Sequence, residues 1–188
     1  MPNKNKLQKK KQIILGFVGK ICSGKGVAVS YLAKKHDADI VMFSQSLRDS
    51  LQRLYIPQTR ENLQKLSKLL RDEFGQDIFS QIVLNDALAS KKSIILIDGI
   101  RRKSDYSLLK TLPHFSLIGL ESSEKIRFER LKKRKQNAGD ASVSWKKFLT
   151  QDTAETEKDI DAIVATASIV LQNNGSLSDF KKKLDALL

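Results

Sequence analysis

The segment IILGFVGKICSGKG, Ile13 to Gly26, allows few folds. An apolar, β-rich run (QIILGFV, Gln12–Val18) breaks into Gly-x-x-x-x-Gly-Lys, Gly19 to Lys25, and helical periodicity runs on from Lys25 to Lys35. Glycines let backbone N–H groups turn inward around an anion, and the N-terminus of the following helix adds a partial positive charge. A strand, a glycine loop and a helix in that order predict a phosphate-binding loop at the carboxyl end of a strand. Lys25 is placed to bridge the β- and γ-phosphates of a nucleotide. The next position usually carries Ser or Thr, whose hydroxyl reaches Mg²⁺. Here it is Gly26, followed by Val27, so Ser23 is the one hydroxyl within the loop. Gly19, Ser23, Gly24, Lys25, Gly26 and Val27 are the candidate nucleotide-binding residues.

Apolar runs and helical periodicities alternate along the remainder. Further strands are predicted at Asp39–Phe43, Ser93–Asp98, Phe115–Glu121 and Ser168–Asn173. Helices are predicted at Ser44–Tyr55, Thr59–Phe74, Asp77–Ala89, Ser122–Lys135, Trp145–Lys158 and Ser176–Leu187. Near-continuous apolar strands alternating with helices imply an α/β fold, a five-stranded parallel sheet with helices on both faces. Ligands of such sheets bind beyond the carboxyl ends of the strands. The run IILID ends there in Asp98, an acid placed to hold Mg²⁺ directly or through water. The plainer reading of Asp98 is a turn residue before Gly99.

The 188 residues suffice for one domain with a core, expected over 12–188. Residues 1–11 form a basic tail holding Lys4, Lys6, Lys9, Lys10 and Lys11 and no acid. With the cluster Lys125–Lys135 it contributes to a net charge of +13. Such charge reads as a solvated tail and a basic helix face, or as attraction to phosphates of nucleotides or nucleic acid. Aromatics at 6% disfavour a nucleic-acid stacking surface. The single cysteine, Cys22, excludes an internal disulfide framework and fits a reducing cytoplasm. His36 and His114 lie far apart, without Cys or His at ligand spacing. No apolar run approaches the roughly 20 residues of a membrane span.

At the loop the sequence resembles adenylate kinase and its relatives, the nucleoside monophosphate kinases, which share Gly-Lys-Gly. Many of those have Thr where this chain has Val27. TRENLQKLSKLLRDEFGQDIF, Thr59 to Phe79, is similar to the substrate-side helices of phage-type deoxynucleotide kinases. IDGIRR (Ile97–Arg102), RFERLKKR (Arg127–Arg134) and the ending VLQNNGSLSDFKKKL resemble a dephospho-CoA kinase-like family. The resemblance covers nearly everything from Ile13 onward. It implies an ATP-dependent, Mg²⁺-assisted kinase of a small molecule, in which Mg²⁺ is held largely by water and phosphates.

Two mobile parts are implied as well, an acceptor-binding segment over 44–90 and a lid over about 133–150. Arg48 is then an acceptor-phosphate arginine. Arg60, Gln64 and Arg71 share one face of the next helix and join it, as does Arg101 of IDGIRR. The alternative for each arginine is a surface pair with Glu61, Asp72 or Glu73. Arg127, Arg130 and Arg134 form one stripe. Arg130 and Arg134 are the expected catalytic cations beside Lys25 and Asp98. Asn173 and Gly175 belong to a turn that packs on the adenine, and Trp145 is read as a packing anchor. Dephospho-CoA kinases carry an aspartate just past strand 2, whereas this chain has Phe43-Ser44-Gln45-Ser46. That favours a phosphate acceptor, a nucleoside or deoxynucleoside monophosphate. Dephospho-CoA stays open as the acceptor, as does an RNA-associated nucleotide-binding protein, either as monomer or homodimer.

Overall fold

The computed structural model describes residues 12–134, 143–153 and 159–188. The basic tail and residues 135–142 of the expected lid lie outside the described residues. Five strands form one sheet: β1 (Ile13–Val18), β2 (Asp39–Met42), β3 (Ile94–Asp98), β4 (Phe115–Glu121) and β5 (Ile169–Gln172). Their order is β2-β3-β1-β4-β5, and every pairing is parallel. This is the predicted fold class. The central strands β1, β3 and β4 carry near-continuous apolar runs because both their faces are covered. The edge strands leave Ile40, Met42, Ile169 and Val170 exposed.

The two-residue period of β1 divides the core. Leu15 and Phe17 join Leu32, Leu96, Ile118 and Phe180 under α1 (Lys25–His36) and α9 (Leu177–Asp185). Ile14 and Val18 join Leu47, Val83, Ile97 and Ile163 on the opposite face. That face is covered by α2 (Gln45–Arg53), α4 (Ile78–Ala89) and α8 (Ile160–Val164). Between α2 and α4 runs α3 (Arg60–Phe74), which packs on both. Its start is fixed by Thr59, whose hydroxyl accepts from the Asn62 N–H at 3.2 Å.

Four differences from the expected elements concern the connections. A short helix α5 (Lys103–Tyr106) and a 3₁₀ turn (Leu109–Thr111) follow β3, where no periodicity was legible. The basic helix is α6 (Glu124–Arg134), starting later than Ser122. The helix expected over Trp145–Lys158 is described as α7 (Trp145–Asp152), and α8 was not foreseen. Trp145 packs edge-on to Phe128, with ring centroids 5.1 Å apart, and leans on Phe148, anchoring α7 to α6.

A parallel sheet gathers all its carboxyl ends on one edge. Gly19, Ser44, Gly99, Ser122 and Asn173 therefore begin five loops on the same side of the molecule. The loop after β1 occupies the centre.

Candidate nucleotide site

The loop begins where β1 runs out between β3 and β4. A Cβ on Gly19 would lie 2.4 Å from the Leu120 carbonyl of β4. Gly24, at φ 113°, enters α1 with the left-handed backbone that glycine supplies most readily, and a Cβ there would lie 2.4 Å from Asn173 Nδ2. No side chain caps the first turn of α1, and no acid stands in it. Its N–H groups are thus left to an anion. The Lys25 ammonium folds back over the loop, donating to the carbonyls of Gly19 and of Lys20, the latter at 3.1 Å.

Side chains from β4, α6 and β5 onward hold the loop carbonyls from outside, Ser122 among them, whose hydroxyl lies 3.5 Å from the Ser23 carbonyl. Arg127 Nη1 donates to the Ile21 carbonyl at 3.4 Å. Arg130 Nη1 donates to the Cys22 carbonyl at 3.4 Å. Asn173 Nδ2 donates to the Ser23 carbonyl at 2.8 Å. In a trans peptide the next N–H points opposite to the carbonyl. Outward carbonyls on Ile21 and Ser23 therefore turn the N–H groups of Cys22 and Gly24 to the cradle side. The Ser23 N–H instead closes a turn onto the Lys20 carbonyl at 3.1 Å.

Ser122 links these supports. Its hydroxyl donates to the Asn173 carbonyl at 2.5 Å and accepts from Arg130 Nη1 at 3.0 Å. Arg130 Nη2 also donates to the Asn173 carbonyl at 2.9 Å. Burial lowers the pKa of the Arg130 guanidinium, and Cys22 opposes that shift. An arginine remains charged in such a setting.

Asp98 ends β3 in register with Phe17 of β1 and Met42 of β2. It has the parity of Leu96, so its side chain leaves the sheet on the α1 face, the face of Lys25. Among the described residues nothing pairs with its carboxylate. No group of three or more acidic, His or Cys residues suited to a metal occurs among the described residues. A Cβ on Gly26 would meet nothing within 4 Å, so the place of the missing hydroxyl is open space. Asp98 and that space fit a magnesium ion carried mainly by phosphates and water.

The structure brings Lys25, Asp98, Arg130 and Asn173 to one edge and treats other candidates differently. Ser23, a candidate through its hydroxyl, is buried, and its Oγ has no hydrogen-bond partner among the described residues. Asn173 is buried and spends its amide on the loop, while Gly175 is exposed nearby. Arg48 stands one turn into α2, donating to Gln58 Oε1 at 3.3 Å. Arg60 and Gln64 are exposed on α3, Arg101 is exposed past β3, and Arg134 is half-buried at the end of α6.

Arg71 is the correction. Expected beside Arg60 facing the acceptor, it is buried, with Nη2 2.6 Å from Asp105 Oδ1 and its guanidinium over Phe79. The helix turns Arg71 inward because the neighbouring Leu70 and Leu66 pack on the core. Asp105 was missed by sequence reasoning, and so was Asp152, which forms a bidentate pair with Arg127. Asp105 had one faint signal, an acid in the first turn of a short helix. Asp152 had none.

A cleft of about 380 Å³ opens on the β4–β5 side of the loop, between Lys20, Ser123, Glu124, Asp161 and Asn174. No helix among the described residues is long and apolar enough to cross a membrane.

A parallel sheet with a glycine loop at its central strand, an acid on the next strand and arginines beyond β4 defines a P-loop fold of the kind that kinases share. The chain belongs to the AAA domain family, which it matches over residues 18–148, and to the UPF0200 proteins. It is 31% identical to the UPF0200 protein of Methanoregula boonei, over 93% of this chain and 95% of that one. The UPF0200 protein of Hyperthermus butylicus is 28% identical over 94% of each chain. In fold it is similar to the shikimate kinase of Bacteroides thetaiotaomicron, with a TM-score of 0.62 at 11% identity over 93% of this chain and 96% of that one. A gluconokinase of Sinorhizobium meliloti gives 0.56 at 16% identity, over 94% and 91%.

Proposed function

We propose that the protein is an ATP-dependent phosphotransferase whose acceptor is a nucleoside or deoxynucleoside monophosphate. The observation that carries the reading is the shared edge of the sheet. There the start of α1, Lys25 and Arg130 supply positive charge on the face that Asp98 also shares.

Phosphoryl transfer asks mainly for positioning and charge neutralisation. In this reading Lys25 exchanges the Gly19 and Lys20 carbonyls for the β- and γ-phosphates. The N–H groups of the loop bind the phosphate oxygens. Arg130 and Arg134 face the transferring group, and Arg48, Arg60, Gln64 and Arg101 hold the acceptor. Arg71 contributes through Asp105, which accepts from the Arg101 N–H at 3.0 Å. Magnesium, when bound, would neutralise phosphate charge, with Asp98 as its protein ligand. The absence of an acid in Phe43-Ser44-Gln45-Ser46 supports an acceptor that is already an anion. The lone cysteine supports a reducing cytoplasm as the working compartment.

A second reading, a hydroxyl acceptor such as dephospho-CoA, is favoured by the Asp98 carboxylate, unpaired among the described residues, which has the chemistry of a general base. The fold neighbours are named for shikimate and gluconate, which belong in the same trial. The test is ADP release from ATP and Mg²⁺ with CMP, UMP, AMP, GMP, the deoxynucleotides, dephospho-CoA, shikimate and gluconate. Turnover is expected with at least one monophosphate and is lost in Lys25→Ala. Reaction with the hydroxyl acceptors alone would replace the first reading by the second.

A further inference from the structure

The arginine that holds the loop at Ile21 is itself held. Arg127 is 2% exposed, and its two terminal nitrogens meet the two carboxylate oxygens of Asp152 at the end of α7. Its Nε donates to the Ser122 carbonyl at 3.1 Å, which fixes the guanidinium plane from a second direction. Asp152, 4% exposed, also lies 3.8 Å from the ammonium of Lys20, a loop residue that reaches Asp161 of α8 at 2.9 Å. One carboxylate, 25 residues from Arg127 along the chain, thus bears on the loop twice, directly at Lys20 and through Arg127 at Ile21.

We propose that Asp152 is a positioning residue for nucleotide binding: acting through Arg127 and Lys20, it sets the shape of the phosphate loop before the nucleotide arrives. This rests on the nucleotide reading of the loop. A guanidinium held at both ends keeps the Ile21 carbonyl outward, and so keeps the Cys22 N–H directed at the cradle. Without the carboxylate, Arg127 is free to turn toward other acceptors, and the loop must then be ordered at the cost of binding. Asp152 belongs to α7, so the helix that overlaps the end of the expected lid also shapes the donor site.

The test compares the full chain with Asp152→Asn, which keeps the size and removes the charge. ADP affinity is read by calorimetry, amide hydrogen exchange at Cys22–Gly24 is read without nucleotide, and thermal melting is recorded beside both. The expected result is an ADP affinity weaker by about tenfold or more, with faster exchange confined to the loop and α7. Trp145→Leu serves as the control. Trp145 joins α7 to α6 through Phe128 and Phe148, whereas Phe148 itself lies under the Arg127 guanidinium, so the Trp145 change lowers melting and leaves ADP affinity as it was. Parental affinity and parental exchange in Asp152→Asn would overturn the assignment, as would an equal loss of affinity in Trp145→Leu. Where Asp152→Asn does not fold, Asp152→Glu displaces the guanidinium by one methylene. Weaker ADP binding in a folded Asp152→Glu supports the role, and unchanged binding contradicts it. Should the unaltered chain not bind ADP, the nucleotide reading falls, while loop exchange still decides whether Asp152 shapes the loop.

Discussion

Among the described residues, two buried arginine–aspartate pairs order backbone at the carboxyl edge of the sheet, and they divide the labour differently. In the pair beyond β3, Asp105 has the second task. Beyond Arg71, its other oxygen accepts from the N–H groups of Arg101 and Arg102 at 3.0 and 2.9 Å. In the pair beyond β4, Arg127 has the second task, donating to the carbonyls of Ile21 and Ser122. The first pair shapes a loop by offering it an anion, and the second by offering it a cation. A buried ion pair is weak support for stability, because desolvation offsets attraction. Here each pair also orders backbone on the edge where ligands bind, a task that an apolar replacement cannot perform.

The comparison is broken most severely by deleting one partner. Asp105→Ala leaves Arg71 buried and uncompensated and two N–H groups without an acceptor, so unfolding by urea is expected to show a loss of about 3–5 kcal/mol. Asp105→Asn keeps one acceptor oxygen and is expected to lose less. Next comes Arg130→Met, which removes a cation beyond β4 without leaving a buried charge. In whichever acceptor assay gives turnover, its rate is expected to fall roughly 10²–10³-fold, about 3–4 kcal/mol of barrier. Melting should change far less, because only part of the side chain is buried.

Smaller effects probe the loop itself. Gly24→Ala forces a Cβ against Asn173 at positive φ and is expected to destabilise by about 1–3 kcal/mol. Gly26→Ala fills open space in the first turn of a helix and is expected to be neutral, or stabilising by up to about 1 kcal/mol. The smallest expected effect is on pH dependence. Ser176 holds the Asp179 carboxyl below its usual range, and Lys35 does the same for Asp185. A depressed carboxyl stabilises above its unfolded pKa, and that contribution fades as pH falls through the folded value. Amide exchange in α9 should therefore rise first on acidification, ahead of exchange in β1.

The strands were legible because central parallel strands must be apolar on both faces, as in Ile94–Ile97. The loop was legible because its glycines and Lys25 have one mechanical use after a strand. The supports of the loop were not. Arg71 meets Asp105 across 34 residues and Arg127 meets Asp152 across 25, and no local pattern encodes such meetings. Arg71 therefore read as an acceptor-binding candidate beside Arg60, and Arg127 as one of the arginine stripe with Arg130 and Arg134. Helix α5 escaped because four residues carry no period, and α8 because five apolar-rich residues next to acids resemble the end of a longer helix. Asn173 was read, from the family resemblance, as part of a turn that packs on the adenine. The structure gives its amide to the Ser23 carbonyl, a partner 150 residues away.

The central claim is that this edge of the sheet carries a phosphoryl group from ATP to a second nucleotide. It is tested most directly by following label from γ-³²P ATP in the presence of a nucleoside monophosphate mixture. The account predicts label in a nucleoside diphosphate, and none there with Lys25→Ala. Label that stays in ATP, or appears only as inorganic phosphate, would contradict it.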